Sequence, residues 1–383
     1  MGSEGNRAAT GFFAGVAGAH GFRVEAPEFR CIDWVDGGAN LASGSESFEV
    51  LASPYSLGVR VDAPLTVISK VEELEASELA NTVLLLRGEI AREQLMPVNF
   101  PFYNPEEHQR IISLLRAGNP LAIVAATSRN PELAGAVYPF PLIEDGDFDI
   151  PSVYMTEEEG VRLEVHAGQV VSLDSRAQRI PSTGCNVVAR KGMDAPRRVV
   201  LCAHIDAKRG TPGALDNAAG VVVLLLLAEL LKDRDGRLGI ELLALNGEDY
   251  YAAPGEIAYI KRNRGKMGDI VLNVNLDAPG YRRGDTAYSL YGCPDEIAGA
   301  IRGVLSGREG IIEGEAWYQG DHMVFVQNHV PAMAITSERF MEIETSFAHT
   351  ALDTPDLVDP GKLANLALTL RDLLLVLDVL PAN

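Results

Sequence analysis

The sequence predicts an α/β protein: a mixed, mostly parallel central sheet with helices on both faces, plus a smaller β-rich insert domain. Three observations point there. After residue 176, near-continuous apolar runs alternate with helical segments, the pattern of strands covered on both faces. Between 53 and 175 the texture changes to short strand-like runs with two short helical ones. A length of 383 residues is too great for one ordinary core and suits two or three. The predicted domains are 1–52 with 176–383, and 53–175.

Each element has its own signal. Residues 3–19 predict an amphipathic helix, because Ser3 can cap it and Ala9, Phe12, Phe13 and Val16 form one apolar stripe. FRVEAPEFRCIDW then alternates as strands do. In the middle segment PLTVISK, TVLLLRG, LAIVAAT, IPSVYM and QVVSLD read as strands, HQRIISLLRAG and TEEEGVRLEV as helices. His108 and His166 stand alone there and read as solvated side chains. From 199 the order is strand VVLCAHID, helix 217–232, strand GIELLALNGED, helix GEIAYIKRNR, strand DIVLNVNLD and run TAYSLYG. Helix DEIAGAIRGVL, helix DHMVFVQN, strand PAMAITS and a long apolar helix over 361–380 complete it.

Composition excludes several function classes. Lys and Arg number 33 against 53 Asp and Glu, a net charge of -20 that repels phosphate backbones and anionic lipid. Nucleic acid and membrane are therefore not expected partners. The longest apolar stretch, VVVLLLLAELL at 221–231, contains Glu229 and falls short of the ~20 residues a membrane span needs. Cys31, Cys185, Cys202 and Cys293 form no C-x-x-C pair, which argues against a thiolate-ligated zinc or a redox motif. No secretion signal opens the chain. A cytoplasmic location is expected for the sequence as it stands, and an exported one if an upstream signal was removed.

Chemistry-bearing residues collect at predicted strand ends, where open α/β sheets place their sites. His204 and Asp206 end one strand, Asp216 opens the following helix, and Glu248 and Asp249 end the next strand. Asp277 ends a third, and His349 lies in the loop FAHTALDTPD. So many carboxylates brought together would repel one another unless divalent cations offset their charge. Imidazole and carboxylate without thiolate suit zinc, with cobalt or manganese as substitutes. Glu248 is the candidate base, since it neighbours a candidate ligand and alternates to the other side of the chain.

These motifs together resemble the co-catalytic zinc aminopeptidases of the bacterial leucyl-aminopeptidase type and their glutamate-carboxypeptidase-like kin. AHID (203–206), PGALDNAAG (212–220), NGED (246–249), NLDAPG (275–280), GDHMVF (320–325) and FAHTALDTPDLVD (347–359) carry the likeness over 1–52 and 176–383. The resemblance implies a di-zinc exopeptidase acting on peptides, one Zn2+ on His204 and Asp277, a second on Asp249 and His349, with Asp216 bridging. It also implies a metal-activated water with Glu248 as general base, Asp206 orienting His204, and a cis peptide bond at Asp216–Asn217. Many relatives carry Glu where this chain has Asp249, which shortens that ligand arm by one methylene. Asp321 and His322 match an SDH-like stretch and are candidate substrate contacts, although Asp321 reads equally well as a helix cap. The middle segment resembles a protease-associated insert.

Within this resemblance the leading reading is an aminopeptidase. A carboxypeptidase would use Lys208, Arg209 or Arg339 to grip a terminal carboxylate. A glutaminyl cyclase would need one zinc and not the whole ligand set. A non-catalytic receptor or scaffold would have lost ligands or base, whereas all are filled here. Glu338, Glu342 and Glu344 could help hold an ammonium, but read more readily as a solvated acidic loop. The sequence sets no oligomeric state.

Overall fold

Ser3 caps the first helix, α1 (Glu4–Ala19), its hydroxyl oxygen accepting the N–H of Asn6 at 3.2 Å. The computed structural model describes residues 1–129, 135–192, 195 and 197–380. It forms two units, Met1–Cys31 with Thr183–Asn383, and Ile32–Ser182. The first is built on an eight-stranded mixed sheet. Its strands are β1 (Arg23–Glu25), β2 (Val187–Lys191), β3 (Arg198–His204), β4 (Gly239–Leu245), β5 (Ile270–Leu276), β6 (Thr286–Tyr291), β7 (Ile311–Glu313) and β8 (Ala332–Ser337). The spatial order is β1-β2-β4-β3-β5-β8-β6-β7, with β4, β3, β5 and β8 mutually parallel.

Those four central strands are buried along nearly their whole length, which is why they read as continuous apolar runs. One face packs on α1, α2 (Ala219–Leu230), α4 (Asp295–Leu305) and α7 (Pro360–Val379), with Phe13, Val223, Leu227, Ile301, Leu370 and Leu374 in one core. On the other face lie α3 (Pro254–Arg262) and the short α5 (His322–Val326), where the rings of Tyr259 and Phe325 meet at 5.6 Å. One charged residue inside β4, Glu241, is wholly buried and is satisfied by Arg190 (2.7 Å), Arg198 (3.3 Å) and the Tyr259 hydroxyl (2.6 Å). No helix among the described residues is long and apolar enough to cross a membrane.

The second unit has its own eight-stranded sheet, with Val59–Ile68, Val83–Leu86, Ala122–Thr127 and Ser152–Thr156 parallel at its centre. It is wider than the expected 53–175. Strands Ala39–Ser43 and Leu51–Ala52 hydrogen-bond to Val170–Ser175 and Ser152–Thr156, so residues 32–52 fold with this sheet. His108 is also not the solvated side chain its isolation suggested. It is buried, and its Nδ1 accepts the N–H of Met96 at 3.1 Å.

Candidate metal centre

Three adjacent parallel strands, in the order β4-β3-β5, end at the same edge of the first unit's sheet. His204 is the last residue of β3, Asp277 follows β5, and Asp249 lies in the turn after β4. Two loops complete the set. The turn Ala214–Ala218 brings in Asp216 just ahead of α2, and its Asp216–Asn217 peptide is cis, as the resemblance implied. His349 follows the short helix α6 (Phe340–Ser346), with its backbone in the left-handed region at φ 62. A histidine held there is a conformation that surrounding structure must impose, and such residues gather at functional sites.

Asp216 faces both histidines, one with each oxygen. Its Oδ1 is 3.0 Å from His204 Nε2, and its Oδ2 is 3.1 Å from His349 Nε2. His204 Nε2 is also 3.6 Å from Asp277 Oδ1, and His349 Nε2 is 3.0 Å from Asp249 Oδ1. Two triads result, His204–Asp216–Asp277 and Asp216–Asp249–His349, the potential ligand atoms of each lying within 4.8 Å of one another. Asp249 reaches its histidine despite the shorter arm.

The donor set fits a cation. His204 Nδ1 lies 3.0 Å from the carbonyl oxygen of Asp206, so Nδ1 carries a proton and Nε2 is the atom turned toward Asp216 and Asp277. That buried Nε2 has no hydrogen-bond partner, and neither does Asp249 Oδ2. Imidazole and carboxylate atoms converging in a buried cluster that leaves some of them unpaired are a donor set that a metal ion satisfies. Electrostatics agrees. Burial pushes the His204 and His349 imidazoles down, but Asp216 with Asp277, and Asp249 with Asp216, outweigh it and hold both well above the usual histidine range. Burial likewise pushes Asp216 up, yet the two histidines hold it well below the carboxylate range. The carboxylates that attract these protons would attract a cation in the same way.

Glu248 sits among these charges. Burial, then Asp249, Asp277 and Asp216, raise its carboxyl well above the ordinary glutamate range, against the opposing pull of His204. Asp206 meets His204 through its backbone carbonyl and not its carboxylate. The carboxylate instead accepts the N–H of Gly247 at 2.6 Å, next to Glu248. Asp321 and His322 are placed differently from the substrate contacts they were read as. Both are buried, and the His322 ring lies between those of Trp317 and Tyr291, 4.7 Å from each. Nor does Asp321 cap its helix by a side-chain hydrogen bond. Of the acidic run, Glu342 and Glu344 lie in helix α6, and Glu338 lies in the exposed turn before it. Glu342 pairs with Arg283 and Arg339, whereas Glu344 is half-buried and burial pushes it up to about 7.

Two supporting residues escaped the sequence reading. The fully buried Asp353 accepts the N–H groups of Leu215 and Asp216, and Asn217 ties the turn to β5 through Leu276 O at 2.7 Å. At Gly220 a β-carbon would stand 2.6 Å from that same Leu276 oxygen, so only glycine lets α2 start this close to the strand.

Comparison with known proteins is consistent with this architecture. The model of Peptidase family M28 matches residues 186–374, a span that holds both histidines and every carboxylate of the two triads. The alkaline phosphatase isozyme conversion protein of Escherichia coli (strain K12) is 30% identical over 118 residues, covering 27% of this chain and 34% of that protein. The matched stretch thus spans about a third of that curated relative's length. Among solved structures, an aminopeptidase from Aneurinibacillus sp. strain AM-1 aligns over 100% of this chain and 90% of its own, at 18% identity and TM-score 0.75. A zinc aminopeptidase from Bacillus subtilis aligns over 97% and 89%, at 17% identity and TM-score 0.73. A Peptidase M28 precursor from Shewanella amazonensis SB2B aligns over 100% and 92%, at 16% identity and TM-score 0.67. At such identities these structures establish a shared fold, and the family match across the sheet, the turn and both histidines makes residues 186–374 similar to peptidase family M28.

Proposed function

We propose that this chain is a zinc-dependent aminopeptidase that removes N-terminal residues from peptides at a centre holding two Zn2+. One ion would be held by His204 and Asp277, the other by Asp249 and His349, with Asp216 shared. The observation that carries this reading is the division of the Asp216 carboxylate, one oxygen to each histidine at 3.0 and 3.1 Å. Zinc supplies Lewis acidity toward the scissile carbonyl and lowers the pKa of water toward neutrality.

The chain's own residues do the rest. Glu248, buried among the carboxylates of the centre, takes the proton of the attacking water and returns it to the leaving amine. Asp206 acts as a positioning residue: its carbonyl sets the His204 tautomer and its carboxylate pins Gly247 beside the base. An amino-terminal substrate suits the charge here, because the carboxylates around the centre favour an ammonium over a carboxylate. For a carboxypeptidase, Arg339 was a candidate grip, but it is engaged by Glu342 at 3.2 Å. The second unit, in this reading, is the protease-associated insert and contributes no catalytic residue.

Metal content per chain together with a peptide-library digest tests the proposal. About two zinc ions per chain and shortening from the amino end are expected. Shortening from the carboxyl end would replace the reading with a carboxypeptidase, and zinc-loaded protein that cleaves nothing would remove it.

A further inference from the structure

Trp317 and Phe340 meet beside the metal centre, and Glu344 lies on the same helix as Phe340, none of them among the ligand-type residues. The rings of Trp317 and Phe340 lie 5.2 Å apart with 32° between their planes. Gly320 locates this pair relative to the ligands. A β-carbon there would be 2.9 Å from the Trp317 ring and 3.3 Å from Asp277 Oδ2, so the indole and that ligand flank one backbone position. Phe340 and Glu344 are four residues apart on α6 and therefore share one face of that helix. Glu344 lies close enough to feel the charges of His349, Asp216, Asp277 and Asp249. Its acidic neighbours have partners: Glu342 has Arg283 and Arg339, and Glu338 accepts the Asp285 N–H at 2.9 Å. Glu344 forms no hydrogen bond or ion pair with any described residue and is still half-buried. A carboxylate withdrawn from water without a partner is costly unless something cationic arrives.

We infer that Trp317, Phe340 and Glu344 form the recognition pocket for the side chain of the substrate's first residue, and that the pocket selects lysine or arginine. The part-exposed side of this stacked aromatic pair covers the aliphatic stem. Glu344 takes the charge at the far end of the stem. This rests on the aminopeptidase reading and goes beyond it by naming the substrate class.

The test compares lysine and norleucine p-nitroanilides, which differ at the terminal ammonium. In the zinc-loaded wild type, kcat/KM for lysine should exceed that for norleucine by about tenfold or more, the size of one charge-assisted contact. In Glu344→Gln that ratio should fall toward one. Phe340→Ala should raise KM for both substrates together, since its ring meets the stem. If E344Q slows both substrates by the same factor, Glu344 holds the α-ammonium and the pocket is misassigned. A wild-type ratio near one overturns the inference outright.

Binding supplies a second readout that needs no turnover. In a Trp34→Phe background Trp317 is the remaining tryptophan, and lysine amide should quench it at lower concentration than norleucine amide. Loss of that difference in E344Q supports the pocket even if no anilide is cleaved, in which case the proposed activity alone fails. Cleavage of N-terminal residues with equal quenching by both amides sinks the pocket and spares the activity.

Discussion

Asp353 holds Asp216 by its backbone: one carboxylate oxygen accepts the Asp216 N–H at 3.1 Å, the other that of Leu215 at 2.8 Å. The residue that faces both histidines is thus fixed from behind by a group with no ligand role. Asp353→Ala would leave two buried N–H groups unpaired, at about 1–3 kcal/mol each. Denaturant unfolding should show that loss, and zinc titration should show affinity weakened about 10–100-fold, as when an outer partner of a ligand is removed. Asp353→Asn keeps one acceptor and should lie between the two.

Removing the proposed base, Glu248, should separate chemistry from metal binding. Glu248→Gln preserves shape but cannot take a proton. Turnover should drop by about 10²–10⁴ while zinc content by elemental analysis stays at the wild-type level. Near-normal turnover would assign the proton transfer elsewhere.

The shared carboxylate implies unequal losses. His204→Ala and His349→Ala each disrupt one triad, whereas Asp216→Ala disrupts both. Equilibrium dialysis should find about one zinc retained in either histidine variant and almost none in D216A.

Chelation should change how stability depends on pH. Without metal, His204 and His349 gain protons from neighbouring carboxylates and have folded-state pKa values well above the unfolded value of about 6.5. Their contribution is fully present below about pH 6.5 and is lost as pH rises through the folded values. Asp216 has the opposite sign, stabilising above its unfolded pKa of about 3.9 and losing that contribution as pH falls. Unfolding curves with excess chelator should therefore weaken from pH 6.5 upward, and zinc-saturated protein should not follow them. Identical pH profiles with and without chelator would contradict the placement of these groups.

Gly220→Ala should be destabilising although the change is one methyl group. The new carbon meets Asn217 Oδ1 at 2.4 Å and Leu276 O at 2.6 Å, both already hydrogen-bonded in place. A loss of about 1–3 kcal/mol in denaturant unfolding is expected, accompanied by weaker zinc binding because the turn carrying Asp216 must shift.

Much of this was legible because the central strands are buried on both faces and end in polar residues. Apolar runs marked β3, β4, β5 and β8, and the residues after them marked the site edge. Helix α6 is only seven residues long and buries only Ile343, too short for the spacing of Phe340, Ile343 and Phe347 to stand out as a stripe. Strand β7 is three residues long and half exposed, too short for a pattern. Asp353 was hidden by its type: an aspartate in a loop resembles any turn residue until its backbone partners, 137 and 138 residues earlier, are known. The outer limits of the second unit depended on pairing by Ala39–Ser43 and Leu51–Ala52, and strand register across such distances leaves no mark in local composition.

The ligand-type residues enter at 204, 216, 249, 277 and 349, and no two of them within one triad are close neighbours in the chain. A half-made sheet therefore offers no high-affinity foothold for an ion, since each triad needs segments synthesised far apart. Under the proposed assignment, tight zinc uptake would then report that the whole first unit has been threaded and closed.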